Sequence, residues 1–153
     1  MSVYYPPGNL AITEGFLVER ATAALPQTAV GNLFTVTGGR IIVRGLVGQV
    51  TTAIQAQANA TKLVYDPTAT GANQDLCATL DITGHAVGIM YGITGIVTDA
   101  MKSNLLFMKN DIDQGVMLNA GAIALSCAAS NTGSVAWSLF YIPIDTGVTV
   151  AAA

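Results

Sequence analysis

Five side chains have chemistry that could reach beyond packing: His85, Cys77, Cys127, Asp111 and Asp113. His85 is the only histidine, and an imidazole that titrates near neutrality can act as a general base. It follows Gly84 between two strand-like runs, and no Gly-x-Ser-x-Gly elbow presents a nucleophile to it. The expectation is a hydrogen-bonded turn histidine, and no hydrolase. Ligation of zinc by Cys77, Cys127 and His85 would need a further ligand, and the Cys-x-x-Cys and His-x-x-x-His spacings are missing. Both cysteines lie in apolar, strand-like segments, which suits buried free thiols.

Asp111 and Asp113 place two carboxylates on one side of an extended segment, which could hold calcium if loop carbonyls completed the shell. The remaining ligands of a calcium loop do not follow, so solvated loop aspartates are expected. The glycine pairs lack the Gly-Lys-Ser/Thr ending of a phosphate loop and read as turns. Trp137, Tyr141, Tyr65 and Tyr91 could stack on a sugar, but each sits at an alternating position and is expected in the core. No catalytic residue, cofactor or metal is expected, and the chain does not read as an enzyme.

The elements that would carry these residues are strands. Val, Ile, Thr and Gly recur throughout, with turn residues about every ten positions, the rhythm of an all-β sandwich or barrel. Residues 16–25 read as a strand stopped by Pro26, and residues 33–37 as another closed by Gly38 and Gly39, a hairpin-type signal. In residues 38–50 (GGRIIVRGLVGQV), Gly45 and Gly48 interrupt a β-branched run, marking a bulge or the close approach of another backbone. Alternation through Ile54, Ala56 and Ala58 suggests a strand over residues 51–65, ending at Asp66 and Pro67.

Residues 68–74 form the clearest loop. Strands are expected over residues 76–82 and 87–97, and residues 98–108 read as loop or a single turn. In residues 119–145, Ile123, Leu125 and Cys127 alternate with small residues, and so do Trp137, Leu139 and Tyr141, around a polar turn at residues 130–134. That pattern predicts a hairpin with one buried face. Pro143 ends it, and residues 148–153 form a short apolar tail. The layout is one antiparallel β-sandwich or jelly-roll-like barrel of roughly eight strands over residues 15–153. Residues 1–14, with Pro6, Pro7 and Gly8, read as an extended arm.

Composition narrows the role. Of 153 residues, 52% are hydrophobic and only 10% charged, against roughly 25% charged in an average domain. A membrane span is not expected, since the most apolar stretch, residues 87–97, is cut by Gly88, Gly92 and Gly95 and falls short of about 20 apolar residues. The N-terminus lacks a basic region followed by an apolar run, so cytoplasmic synthesis without export is expected. A net charge of −3 without a basic stripe argues against direct nucleic-acid binding. A sandwich standing alone should carry many Lys and Glu at its outward positions, whereas Ala, Thr, Ser, Gln and Gly fill most of them here. The implied partner is a second copy, with a homotrimer as the expected order.

Residues 35–54 (TVTGGRIIVRGLVGQVTTAI), residues 76–84 (LCATLDITG) with residues 91–95 (YGITG), and residues 121–150 together resemble small virion proteins of tailed bacteriophages. The resemblance covers most of the chain beyond residue 16 and rests on strand-and-turn patterns. Among such proteins it is closest in kind to head decoration, or cement, proteins. It implies a β-rich trimer on the capsid surface that binds the major capsid protein lattice and stabilises the head. Capsid docking is then expected from the arm residues Tyr4, Tyr5, Pro6 and Pro7, since an extended aromatic and proline-rich segment can order on a neighbouring surface. The alternative is a host-recognition module on a tail or fibre, touching glycan through the aromatics or residues 68–74.

Overall fold

A computed structural model of the chain describes residues 15–112 and 115–153. The expected arm, with Tyr4, Tyr5, Pro6 and Pro7, and the expected aspartate Asp113 lie outside the described residues. The described residues form twelve strands: β1 (Phe16–Ala24), β2 (Val30–Thr37), β3 (Ile41–Thr52), β4 (Ala60–Pro67), β5 (Gln74–Asp75), β6 (Leu80–Asp81), β7 (Ile89–Gly92), β8 (Lys102–Leu105), β9 (Val116–Leu118), β10 (Gly121–Cys127), β11 (Ser134–Pro143) and β12 (Thr149–Ala152). Among the described residues there is no helix, so none crosses a membrane.

Sheet I runs β1-β11-β3-β7-β8, with β9 also on β3, and sheet II runs β12-β2-β10-β4-β5, with β6 also on β4. Every strand pair is antiparallel. Among the described residues the chain changes sheet at seven of its eleven connections, so the two halves interlock. When β5 and β6 are counted as one position and β8, β9 and β12 are set aside as additions, the eight remaining strands have the order of a jelly roll. The chain is therefore an all-β sandwich, as its composition and turn rhythm indicate.

Alternation places the core between the sheets. Val43, Leu46 and Leu139 from sheet I and Phe34, Val36, Leu63 and Ile123 from sheet II belong to one buried cluster. Burying each such side chain contributes roughly 1.5–3 kcal/mol. Gly48 shows why glycine interrupts β3. It lies opposite Trp137 on one side and Tyr91 on the other, and those two rings stack above it at 6.2 Å. A Cβ on Gly48 would sit 2.8 Å from the indole. The close approach at Gly48 is thus by a side chain rather than by the backbone expected, while Gly45 marks the expected bulge, because the β3–β11 register slips beside its partner Phe140.

Several sequence expectations are corrected. Residues 119–145 do not form a hairpin: β10 pairs with β2 and β4, and β11 pairs with β1 and β3, in the opposite sheet. Alternation reports which face of a strand is buried and not which strand lies beside it, and two strands facing each other across a core look the same in sequence. Gly38 and Gly39 likewise join strands of different sheets. There the chain crosses close beneath Asp145, whose Cβ would be 2.7 Å from a Cβ on Gly39.

Residues 53–59 are a loop rather than strand, because their polar groups are engaged at the end of the sandwich. The Asn131 amide donates to the carbonyls of Gln55 and Gln57, at 3.2 and 2.7 Å, and the Asn59 amide donates to Asn131 Oδ1 at 3.1 Å. Asn59 and Asn131 are both buried, so this network ties the β3–β4 and β10–β11 connections together at one end. The expected strands at residues 76–82 and 87–97 shrink to β6 and β7, since glycines and turns break their ladders. Residues 98–108 contain β8, and the apolar tail contains β12, whose backbone extends sheet II along β2.

Candidate functional site

The feature that stands out is the outer face of sheet I. On β1, β11, β3 and β9, the residues pointing away from the core meet in register: Leu17 opposite Phe140, and Ile142 opposite Ile42, itself opposite Met117. Leu17, Phe140 and Met117 are 49%, 48% and 59% exposed. Four neighbouring strands thus place large apolar side chains side by side in water, where a monomer gains nothing from them. Gly45 contributes by absence, since Phe140 Cδ2 lies 3.5 Å from where its Cβ would be.

A second exposed apolar group lies along the edge of the same sheet. Leu105 closes β8, and Leu106 and Phe107 follow at 74% and 63% exposure. The backbone bends there, with Leu106 in the left-handed region at φ 64° and its N–H donating to Gly88 O at 3.1 Å. Sheet II differs. Its outer face carries Thr35 and Thr37 on β2, Ser126 on β10 and Lys62 on β4, with Thr37 bonded to Thr149 at 2.8 Å and Lys62 paired with Asp75 at 2.7 Å. Val30 is the exposed large apolar residue on its strands.

The chemically suggestive residues are placed apart from one another. His85 is half-buried in a turn, its Nδ1 2.8 Å from the Tyr91 hydroxyl and its ring stacked on Tyr91 at 5.7 Å. Burial lowers the His85 pKa against a smaller opposing pull from Asp81, and burial raises that of Tyr91 well above the usual phenol range. The pair is a polar end to the stack that continues into Trp137. Cys77 and Cys127 are buried free thiols, both pushed up in pKa by burial. Cys77 Sγ accepts the Leu63 N–H at 3.3 Å. Protonated and enclosed, neither thiol is a nucleophile.

Asp111 is held by Lys109 at 2.9 Å and Lys102 at 3.7 Å, which lowers its pKa, most through the hydrogen bond from Lys109. Among the described residues no three His, Cys, Asp or Glu side chains gather as a metal site. Trp137, Tyr91, Tyr65 and Tyr141 are all buried, so they offer no platform to a sugar. Their expected place in the core is the observed one.

Neither exposed apolar group was singled out in sequence, although a signal existed. Phe140 and Leu17 fall on the outward positions of strands whose inward residues are also large. A strand apolar on both faces, in a sandwich with one core, must show one of them to something else.

No family model matches the chain, and no curated protein matches it. Among solved structures it is similar to a chain in the structure of infectious bursal disease virus, Gx strain, at 11% identity and a TM-score of 0.22. That match covers 90% of this chain and 34% of the viral one, so this chain spans about a third of its length. A likeness at that TM-score identifies neither a fold nor a role.

Proposed function

We propose that this chain is a structural subunit of a phage virion: a head decoration protein that assembles with its own copies and binds the major capsid protein lattice. The observation that carries the reading is the outer face of sheet I, where Leu17, Phe140, Ile142, Ile42 and Met117 adjoin with few charges among them. Contiguous apolar surface rimmed by polar groups is the mark of an interface, and covering it removes apolar area from water at about 25 cal/mol per Å². The jelly-roll order adds support by analogy, since that architecture recurs in capsid and lectin domains. The resemblance in residues 35–54 and 121–150 directs the choice toward phage heads. In this reading the role is mechanical: subunits bridge neighbouring capsid proteins and oppose the outward pressure of packaged DNA.

The test has two arms. Light scattering of the purified protein at micromolar concentration should give a homo-oligomer, a trimer by expectation, and a monodisperse monomer would count against self-assembly. Co-sedimentation with heads lacking this protein should show saturable occupancy, weakened when residues 1–8, with Tyr4, Tyr5, Pro6 and Pro7, are deleted. Binding to a glycan array without any affinity for heads would replace this reading with the host-recognition one.

A further inference from the structure

The two exposed apolar groups of sheet I lie toward opposite edges of it. Leu17 and Phe140 belong to β1 and β11, whereas Leu105, Leu106 and Phe107 close and follow β8, with β3 and β7 between. At about 4.8 Å per strand step the two groups stand roughly 15–20 Å apart. Asn110 interrupts the surface between them: its amide donates to Arg44 O at 2.7 Å and lies 3.5 Å from where a Cβ of Gly45 would be. Their shapes differ as well. The first group is flat, its side chains in register across neighbouring strands. The second is a corner: Leu106 is held in the left-handed region at φ 64°, which a leucine rarely adopts, and Val87, Leu106 and Phe107 are all more than half exposed.

The charges beside the two groups are opposite in sign. Glu19 follows Leu17 on the outward side of β1, opposite Ser138, and is exposed. The ion pairs among the described residues involve other carboxylates, so Glu19 leaves a negative charge at that rim of the flat group. At the corner, Lys102 and Lys109 share the single carboxylate of Asp111. The Lys109 side chain is 82% exposed and that of Asp111 only 23%, and the neighbouring Asp99 accepts the Thr94 hydroxyl at 2.9 Å. The corner therefore shows water mainly positive charge.

We propose that the Leu106–Phe107 corner of one copy packs on the Leu17–Phe140 face of the next, with Lys102 and Lys109 meeting Glu19 at the rim. This contact rests on the reading of sheet I as a self-assembly surface and specifies its partner and its symmetry. A projecting apolar corner fits a flat apolar face, and opposite charges at the rim fix their orientation. Each copy offers one face and one corner, so the contact is head-to-tail, and such contacts either close into a ring or continue as a filament. An edge laid on a face turns each copy sharply from the last, which favours closure after a few copies, the trimer of the expected order among them.

Two double variants of the intact chain test this. Leu17→Glu with Phe140→Glu spoils the face and keeps the corner, and Leu106→Ser with Phe107→Ser spoils the corner and keeps the face. Each alone should associate about a hundredfold or more weakly than the parent. Mixed in equal amounts they should form a one-to-one dimer and nothing larger, since together they retain one good face and one good corner. Native mass spectrometry identifies that dimer by its two subunit masses. Glu19→Lys in the parent should weaken association about fivefold to tenfold at low ionic strength, and adding Lys109→Glu should recover most of the loss. Circular dichroism melts establish that the variants fold. A corner variant that assembles as the parent does would overturn the corner-on-face contact while leaving self-assembly through sheet I in place. A mixture without the one-to-one dimer would overturn the head-to-tail order. A monomeric parent would remove both, whereas head co-sedimentation, read separately, judges only the decoration role.

Discussion

The two outer faces of the sandwich are built on the same alternating pattern and differ in almost everything else. Sheet I shows water Leu17, Phe140 and Met117, and along its edge Leu105. Sheet II shows threonines, Ser126 and a Lys62–Asp75 pair. The low charge of the chain is therefore not one uniform property. On sheet II small polar side chains substitute for charge and can stay hydrated. On sheet I the outward residues are as apolar as a core, and only contact with another surface removes them from water. Composition led to the expectation that small neutral side chains mark a covered surface, whereas the interface proposed above lies on the large residues of sheet I.

The most direct way to break this contrast is to charge one face at a time. Phe140→Glu combined with Leu17→Glu should reduce self-association and head binding by about a hundredfold or more, as expected for loss of buried anchors. Thr35→Glu combined with Ser126→Glu should change either by less than about threefold. Sedimentation equilibrium and head co-sedimentation read both. If the sheet II pair proved the more damaging, the assignment of the interface would reverse.

A second comparison separates surface from scaffold. Asn131→Ala should lower the unfolding free energy by about 1–3 kcal/mol, because the Gln57 carbonyl loses its side-chain donor while the Gln55 carbonyl and the Asn59 amide each lose one of their bonds. Chemical denaturation measures this, and once folded the protein should associate as before. A third contrasts two glycines of one strand. Gly48→Ala should cost about 1–3 kcal/mol, since its Cβ would press on Trp137 at 2.8 Å. Gly45→Ala, with its nearest neighbours at 3.5 Å, should cost less than about 1 kcal/mol by the same measurement.

The smallest effect concerns pH. A bidentate contact with Arg40, at 2.7 and 2.9 Å, and the Arg40 N–H hold Asp145 down to about 2 from its ordinary 3.8. A carboxylate whose pKa falls on folding stabilises the protein above its unfolded pKa and loses that contribution as pH falls through the folded value. The melting temperature should therefore hold steady from neutral pH to about 5 and decline between about 4 and 2. Asp145→Asn should flatten that decline slightly, because the pair is solvent-exposed and screened.

The sequence made some of this legible and hid the rest for definable reasons. Strand content and the inward series Trp137, Leu139 and Tyr141 follow from local alternation, and so did the bulge at Gly45, whereas the group that crowds Gly48 is the Trp137 ring and not another backbone. Sheet membership did not follow, because β10 and β11 are joined by a short polar turn that suits a hairpin and a crossing equally. The buried pair Asn59 and Asn131 was missed because each asparagine in isolation looks like a loop residue. Phe140 and Leu17 were visible as outward residues, yet their adjacency needs the β1–β11–β3 register, which only the folded chain supplies.

That register also has a consequence for how the protein is made. Among the described residues β1 finds its one neighbour within sheet I in β11, with Phe16 opposite Tyr141. During synthesis on the ribosome, sheet I cannot close until residues 134–143 emerge, so β1 must wait for them with its inward residue Val18 unshielded. Pairing across such sequence distances is slow and exposes sticky intermediates. Yield in a host cell should therefore respond to chaperone supply and growth temperature more steeply than the stability of the finished fold would suggest.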